Sequence, residues 1–522
     1  MKTAMIHCRM HGRNEDVIIY EDQYITHVGN EADLHDEISD CDEIIDLRGM
    51  FVSPGFVDSH MHLLELGFYL SSVQLDGCTS VEDIQQACRK GLNTLDEGDW
   101  LLGRGYNEDR FINGSKPDKA ALDAISTDVP IALTRACGHV MTVNSKVLEI
   151  AGITEDFEME GGRIIYETGR VEENAINLIH GLQKEPDVEK LQSFILKGQE
   201  YVNACGITTV GSDDFISVTH DYRGPLDAYE KLSYQGRLTV RVNQQCEFAD
   251  DQAFASFLDD GYTFDVGNDF FRIGPLKLIL DGSLGARTAA MNHSYQDDST
   301  TKGTMCMDKQ DMERDVMLAN RFNMPTIAHC IGDRAVDEWL DVLQDHICPG
   351  NPLHHGIVHC QILREDQIRK IIDLNLSCYY QSIFVDYDAS IVSERVGSQL
   401  SETSYPFHTL YEGTLCSNGS DAPVEMPDVM KGLECAVTRK SLSFPGKAMN
   451  PKECLSVEEA MATYTINGAR QLFMEDRIGA IKEGYYADFA VLDQNPYEVE
   501  TDQLHTVRVM MTVMDGRMVY TR

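Results

Sequence analysis

Short runs of alternating apolar and polar residues mark both ends of the chain. The runs near the N-terminus cover residues 16–20, 24–28 and 43–47, and those near the C-terminus cover 488–492, 507–513 and 518–520. A period of two is typical of strands that bury one face. Because strands stand at both ends with helical patterns between them, we expect residues 1–52 and 476–522 to form one composite β-sandwich.

The centre of the chain repeats a short apolar run that is often followed by a longer amphipathic segment. Eight candidate strands cover residues 50–58, 207–212, 238–246, 271–281, 325–330, 356–361, 376–381 and 414–417. Amphipathic segments cover residues 188–204, 310–323, 334–345 and 365–373. This order predicts an α/β fold, a (β/α)8 TIM-like barrel over residues 53–475, with catalytic groups at the C-terminal ends of its strands.

One stretch, about 68–180, interrupts this rhythm after the first barrel strand. It is too long for a loop within a compact domain. We therefore expect it to form an inserted subdomain.

The composition limits the partners and the compartment. With 44 Lys and Arg against 85 Asp and Glu, the net charge is −41, and such a surface repels nucleic acids and anionic membranes. The 15 cysteines include no Cys-x-x-Cys pair, a pattern typical of reduced thiols. Because residues 1–10 carry no apolar leader and no run of about 18 apolar residues occurs, we expect a cytoplasmic protein without membrane spans.

Six polar residues lie at or near the ends of candidate strands. They are His60, His62, Lys277, His329, His359 and Asp421. Since His60 and His62 are two residues apart on one strand, their side chains point to the same side and can reach one cation. Taken singly, a strand histidine is more often a core residue, and Asp421 could cap a helix or brace a turn. A barrel would bring all six to one mouth, where imidazole and carboxylate suit zinc.

Lys277 is the most informative of the six, because it lies inside the apolar run 275–280. An unpaired ammonium is costly to bury there. One escape is a lowered pKa and reaction with carbon dioxide, which gives a carbamate that can bridge two metal ions. Such oxygens together with imidazoles would suit a binuclear zinc centre. The alternative is that Lys277 lies on a strand whose other face is wet.

Four sequence blocks, in this order, resemble the metal-dependent amidohydrolase superfamily. They read GFVDSHMH at 55–62, LKLILDGSLG at 276–285, AHCIGDRAV at 328–336 and GSDAPV at 419–424. More narrowly, the chain is similar to the amidohydrolase family 3 branch that includes N-substituted formamide deformylase. The resemblance covers nearly the whole chain.

The resemblance implies a role for each matching residue. His60 and His62 would bind the more buried of two zinc ions with Asp421, and His329 and His359 would bind the second. Carbamylated Lys277 would bridge the ions, and Asp421 would also move the proton. Substrate contacts are expected from Tyr106 and Gln381, which border the two positions where the chain departs from its relatives. His139 in the insertion is a further candidate, and ordinary loop packing is the alternative for it.

The leading hypothesis is a metal-dependent hydrolase that cleaves an amide or formamide C–N bond, other than a peptide bond, in a small molecule. A metal-activated hydroxide would be available at neutral pH. One alternative is a mononuclear deaminase of the same superfamily, and Lys277 would distinguish the two. Another is a metal-free binding protein on this scaffold, although no expected ligand is missing. Barrels of this kind often dimerise, so a homodimer is one expected assembly.

Overall fold

Eight parallel strands form the central sheet of the computed structural model, and each is hydrogen-bonded to its neighbours in chain order. They are β1 (Phe56–Met61), β2 (Ile207–Asp213), β3 (Arg241–Cys246), β4 (Phe271–Ile279), β5 (Thr326–Cys330), β6 (Gly356–His359), β7 (Ser377–Tyr380) and β8 (Cys416–Asn418). The first and last strands meet where the Ser59 hydroxyl donates to the Asn418 carbonyl oxygen at 2.9 Å. The sheet is therefore a nearly closed barrel, and the predicted (β/α)8 fold is confirmed.

The structure describes residues 1–96, 98–111, 115–136, 139–159, 162–173, 175–444 and 446–522. The chain divides into two compact units, Met1–Leu66 with Leu191–Arg522, and Gly67–Lys190. The domain limits expected from the sequence, 1–52 with 476–522, 53–475 and about 68–180, stay a prediction. Within the described residues, every helix is too short or too polar to cross a membrane.

Helices lie between successive barrel strands and after the last one. In chain order they are Leu63–Ser71, Val188–Ala204, Arg223–Tyr234, Asp251–Asp259, Lys309–Arg321, Asp333–His346, Glu365–Asp373, Val385–Asp388, Val392–Ser401, Phe407–Gly413, Val429–Thr438, Val457–Thr463 and Ile466–Gln471, with 3-10 turns at Ser382–Phe384, Pro451–Glu453 and Thr501–Thr506. Side chains of Asp250, Asp308 and Asp428 cap three of the helices by accepting a backbone N–H of the first turn. These caps fix where each crossover begins.

The two ends of the chain form a β-sandwich, as predicted. One four-stranded sheet contains, in spatial order, Tyr24–Gly29, Val17–Glu21, Lys2–Ile6 and Glu43–Asp46. The short helix His35–Ser39 connects Tyr24–Gly29 to Glu43–Asp46. The other contains Arg517–Thr521, Val509–Met514, Phe489–Leu492 and Phe51–Pro54. Ile18 and Tyr20 from the first sheet share a buried cluster with Phe489 and Val513 from the second, so residues from both termini fill one core.

The predicted strand 50–58 is in fact two strands in two different sheets. Phe51–Pro54 pairs with Phe489–Leu492 in the sandwich, whereas Phe56–Met61 is barrel strand β1. The break falls at Gly55, where an added Cβ would lie 2.2 Å from Thr208 Oγ1. The run is mostly apolar because both strands are buried, so its pattern does not reveal the change of sheet.

The unit Gly67–Lys190 follows β1 and contains its own seven-stranded sheet. In spatial order the strands are Phe157–Met159, Gly162–Ile165, Arg170–Glu173, Val140–Val143, Ile131–Arg135, Leu101–Tyr106 and Val73–Gln74. Its helices are Val81–Leu92, Lys119–Asp123, Ser145–Ala151 and Ala175–His180, with a 3-10 turn at Glu108–Arg110. Two buried apolar clusters, one around Leu133 and one around Val143, stabilise it.

Candidate metal centre

The six residues chosen from the sequence come together at the C-terminal edge of the barrel. His60 lies in β1 and His62 directly after it, Lys277, His329 and His359 lie in β4, β5 and β6, and Asp421 follows β8. The Nε2 atoms of His60 and His62 each lie 3.2 Å from Asp421 Oδ1. The ring centres of His60 and His359 are 5.8 Å apart, and those of His329 and His359 are 4.4 Å apart.

Each of the four imidazoles is fixed by a hydrogen bond from its Nδ1 to an oxygen atom. The acceptors are Gln245 Oε1 for His60 at 2.5 Å, the Asp213 carbonyl for His62 at 2.5 Å, Asp281 Oδ1 for His329 at 3.0 Å and Gln381 Oε1 for His359 at 2.8 Å. Since an oxygen of this kind only accepts, Nδ1 carries a proton in each ring and Nε2 is the atom left to bind a cation.

Asp421 is held by contacts between β1 and the loop after β8. Its backbone N–H donates to the His60 carbonyl oxygen at 2.9 Å. The Asp58 carboxylate accepts the Ser420 hydroxyl at 2.6 Å and the Ser420 N–H at 3.1 Å. Burial raises the pKa of Asp58 to about 7, although the hydrogen bonds from Ser420 act to lower that pKa. The contact with Asp58 fixes Ser420, the residue before Asp421. Asp421 has a φ of 60°.

Lys277 has an ion-pair partner that was not expected from the sequence. Its Nζ lies 3.4 Å from Asp213 Oδ2, and both side chains are buried. Glu247 is also close, and burial followed by the charge of Asp213 raises its pKa to about 7. The premise that Lys277 is an unpaired buried ammonium is therefore wrong, because an ion pair offsets part of the cost. Carbamylation of Lys277 stays a prediction.

The residues at this edge fit a divalent cation. His359 Nε2 is buried and lacks a hydrogen-bond partner among the residues that the structure describes. One ligand atom each from His60, His62 and Asp421 lies within 4.8 Å of the other two. Burial would lower the pKa of His62, but the hydrogen bond and charge of Asp421 raise it to about 10, so without an ion a proton lies between His62 Nε2 and Asp421. A divalent cation would replace that proton, because a ligating histidine is neutral.

Comparison with known proteins assigns nearly the whole chain to one family. Residues 43–520 match the amidohydrolase family. The chain belongs to this family. It is therefore a metal-dependent hydrolase of the amidohydrolase superfamily, which acts on small-molecule substrates.

Relatives of this amidohydrolase cover nearly its full length. It is 32% identical over 530 aligned positions to a Bacillus subtilis (strain 168) protein named as amidohydrolase YtcJ, with 98% of this chain and 97% of that one covered. Identity to the N-substituted formamide deformylase of Arthrobacter pascens is 23%, with 95% and 93% covered. The crystal structure of an uncharacterized metal-dependent hydrolase from Pyrococcus furiosus superposes with a TM-score of 0.81 at 28% identity, covering 95% of this chain and all of that one.

Four residues of the amidohydrolase site were not singled out from the sequence as site residues. They are Asp58, Asp213, Gln245 and Asp281. Asp281 accepts N–H groups of Ala290, Ile331 and Gly332 as well as the His329 ring, so it connects several loops of the mouth. A usable signal existed, because Asp213 and Gln245 are polar residues at the ends of apolar strands, the same criterion that selected the six.

The three predicted substrate contacts have other partners in the structure. The Gln381 amide binds the His359 ring through Oε1 and donates to the Tyr379 carbonyl oxygen at 3.1 Å. Tyr106 is buried in the core of Gly67–Lys190, and its hydroxyl is 3.0 Å from Thr142 Oγ1. His139 is exposed, and its Nδ1 lies 3.0 Å from Glu173 Oε2. Contact with substrate stays a prediction for all three.

Proposed function

We propose that this amidohydrolase cleaves a C–N bond of the amide or formamide type, other than a peptide bond, in a small molecule. The observation that carries the proposal is the set of donors at the barrel mouth. Four imidazoles have Nδ1 hydrogen-bonded to oxygen, so Nε2 is the atom that can bind a metal ion, and two of these Nε2 atoms lie 3.2 Å from the Asp421 carboxylate. Such a set suits the metal-assisted hydrolysis of a polar bond.

The candidate ligands would bind two divalent ions. His60, His62 and Asp421 would hold one, His329 and His359 the other, and a carbamate on Lys277 would join them. Imidazole nitrogen and carboxylate oxygen favour zinc among the common ions. When bound, such ions polarise a carbonyl group and lower the pKa of water from 15.7 to about 7.

Asp421 would carry the proton during hydrolysis. Burial would raise the pKa of Asp421, but hydrogen bonds from His60 and His62 and the charge of His359 hold it well below its usual range. The carboxylate is therefore ionised at neutral pH and able to accept a proton from the attacking water. It would then deliver that proton to the leaving nitrogen, and such transfer contributes about 10² to 10⁴ in rate.

Replacing Asp421 by Asn tests this role. We expect Asp421→Asn to lose turnover of formyl, acyl and aryl amides, measured by release of the amine, while the four histidines retain some metal by elemental analysis. Asp388→Asn is a matched control, because Asp388 hydrogen-bonds Tyr405 outside the site. Near-normal turnover in Asp421→Asn would refute the assignment.

A second candidate is a single-metal enzyme of the deaminase type. It is favoured by the contact between Lys277 and Asp213, because a lysine that pairs with a carboxylate does not need a metal bridge. His60, His62 and Asp421 would then hold the ion alone.

Lys277→Ala separates the two candidates. The two-metal enzyme would lose metal, from two equivalents per chain towards one, together with its activity. Full metal content and activity in Lys277→Ala would instead favour the single-metal enzyme and direct the screen to substrates that release ammonia. A wild-type chain that binds no metal after reconstitution would leave only the non-catalytic binding protein.

A further inference from the structure

A second group of metal-ligating side chains lies on two helices, apart from the residues of the site described above. One ring nitrogen of His408 and one carboxylate oxygen each of Glu412 and Glu459 lie within 4.8 Å of one another. His408 and Glu412 are four residues apart on the helix Phe407–Gly413, so they share one of its faces. Glu459 faces them from the helix Val457–Thr463.

The His408 ring has an atom whose bonding capacity is unused. Nδ1 of His408 is inaccessible to solvent and makes no hydrogen bond within the described part of the chain. It lies 3.7 Å from Glu459 Oε2, which is too long for a hydrogen bond. Two ligands of one zinc ion, each about 2.1 Å from it at a tetrahedral angle, are about 3.4 Å apart. The observed separation is close to that of two ligands of one ion.

We propose that His408, Glu412 and Glu459 form a second divalent-cation site, of the zinc class, separate from the barrel mouth. One neutral imidazole and two carboxylates carry a charge that a divalent ion balances, and the mixed nitrogen and oxygen donors favour zinc over calcium or magnesium. Glu459 keeps its structural contact, because its Oε2 accepts the Ser456 N–H at 2.7 Å and caps the helix. A carboxylate oxygen has a second lone pair, so this Oε2, the atom that lies 3.7 Å from His408 Nδ1, can also bind an ion.

Occupation of the site would connect the two helices on either side of β8. Phe407–Gly413 leads directly into β8 (Cys416–Asn418), and Asn418 Nδ2 donates to Thr463 Oγ1 at 3.3 Å. Thr409, on the first helix, also contacts the segment before the second helix, since its N–H donates to Glu453 Oε2 at 2.9 Å. An ion held by both helices therefore stabilises the part of the barrel that carries Asp421.

The test counts zinc on the full chain with its own metal in place. Equilibrium dialysis against zinc should give one more equivalent for the wild type than for His408→Ala or Glu412→Gln, and each variant should bind that ion at least about tenfold more weakly. Saturating zinc should raise the Tm of the wild type by about 2 °C and leave that of the variants unchanged. Glu412 is exposed, so Glu412→Gln keeps the test valid if His408→Ala folds poorly.

His35→Ala is the matched control, because His35 is an exposed histidine beside a carboxylate, 83% exposed, in the sandwich. It should keep the extra equivalent. Equal zinc content and equal Tm shifts in wild type, His408→Ala and Glu412→Gln would overturn the proposal. The wild type and all variants have the same ligands at the barrel mouth. The difference in zinc content between them therefore does not depend on whether that mouth holds one ion, two or none.

Discussion

Gln381 orients the ring of His359 by accepting its Nδ1–H at 2.8 Å. Replacing it with Met keeps the volume and removes the acceptor, so His359 can rotate or change tautomer. Loss of such an outer contact usually costs about 10- to 100-fold in metal affinity. We expect Gln381→Met to weaken metal binding by about that factor, measured by competition with a chelator of known affinity.

Gln381→Glu provides the conservative comparison. It preserves an oxygen at the same position and should retain most of the metal affinity that Gln381→Met loses. A loss in Gln381→Met that Gln381→Glu shares in full would mean that the amide N–H donated to the Tyr379 carbonyl, and not the oxygen that accepts from His359, is the group that matters.

The candidate ligands could be found in the sequence because each is a polar group at the end of an apolar strand. Gln245, which holds the His60 ring, meets the same criterion, but other atoms that hold the ligands could not be assigned in this way. The His62 ring is held by the backbone carbonyl of Asp213, and a carbonyl leaves no mark in the sequence. The partner of Lys277 lies at the end of β2, which β3 separates from β4 in the sheet, so the two side chains meet inside the barrel in a way that the order of strands alone does not give.

Strand β3 is connected to the sandwich by a buried ion pair. Arg241 Nε lies 3.0 Å from Asp488 Oδ2, and Arg241 Nη2 lies 3.1 Å from Asp515 Oδ1. Removing the guanidinium would leave two carboxylates without their cation, and breaking a buried pair from one side costs about 3 to 5 kcal/mol. We expect Arg241→Met to lower the free energy of unfolding by about 3 kcal/mol, measured by denaturant unfolding of metal-loaded protein.

Arg517→Met is the surface counterpart. Arg517 is 46% exposed and lies 3.8 Å from the same Asp515, so its removal should cost about 1 kcal/mol or less. Similar effects of the two substitutions would show that burial does not govern the strength of this contact.

At the scale of elements, the pattern of hydrophobic residues predicted the existence of strands better than the sheet to which each belongs. Residues 50–58 form one mostly apolar run but contribute to two sheets. Likewise, the predicted strand 238–246 begins only at Arg241, because Leu238 and Val240 are buried without belonging to the ladder. Burial and strand pairing are separate properties, and the apolar pattern reports only the first.

The molecule as a whole is acidic, and several of its buried carboxyl groups resist ionisation. Outside the barrel mouth, burial raises the pKa of Asp315 and Asp388 to about 6 and that of Glu425 to about 7. In the unfolded chain these groups have pKa values of about 4. The folded state therefore binds more protons than the unfolded state between about pH 4 and pH 7, so these groups contribute stability that is lost as the pH rises.

Asp388 allows this effect to be measured at a single residue. Its Oδ2 accepts the Tyr405 hydroxyl at 2.6 Å, and Asn would keep an acceptor without the charge. Below about pH 4, Asp388→Asn and wild type should be equally stable, because Asp388 is neutral in both states. Above pH 7 the variant should be more stable by about 3 kcal/mol, because a pKa raised from about 4 to about 6 corresponds to about 1.4 kcal/mol for each unit.

The measurement is the Tm of both proteins from pH 5 to pH 8 at constant salt, with metal bound. The difference should grow from pH 5 to pH 7 and then level off. Tyr405→Phe should have the opposite effect, because it removes the hydrogen bond that lowers the pKa of Asp388 and makes the charged form costlier to bury. A difference that stays constant across this range would mean that Asp388 ionises in the folded protein as it does in water.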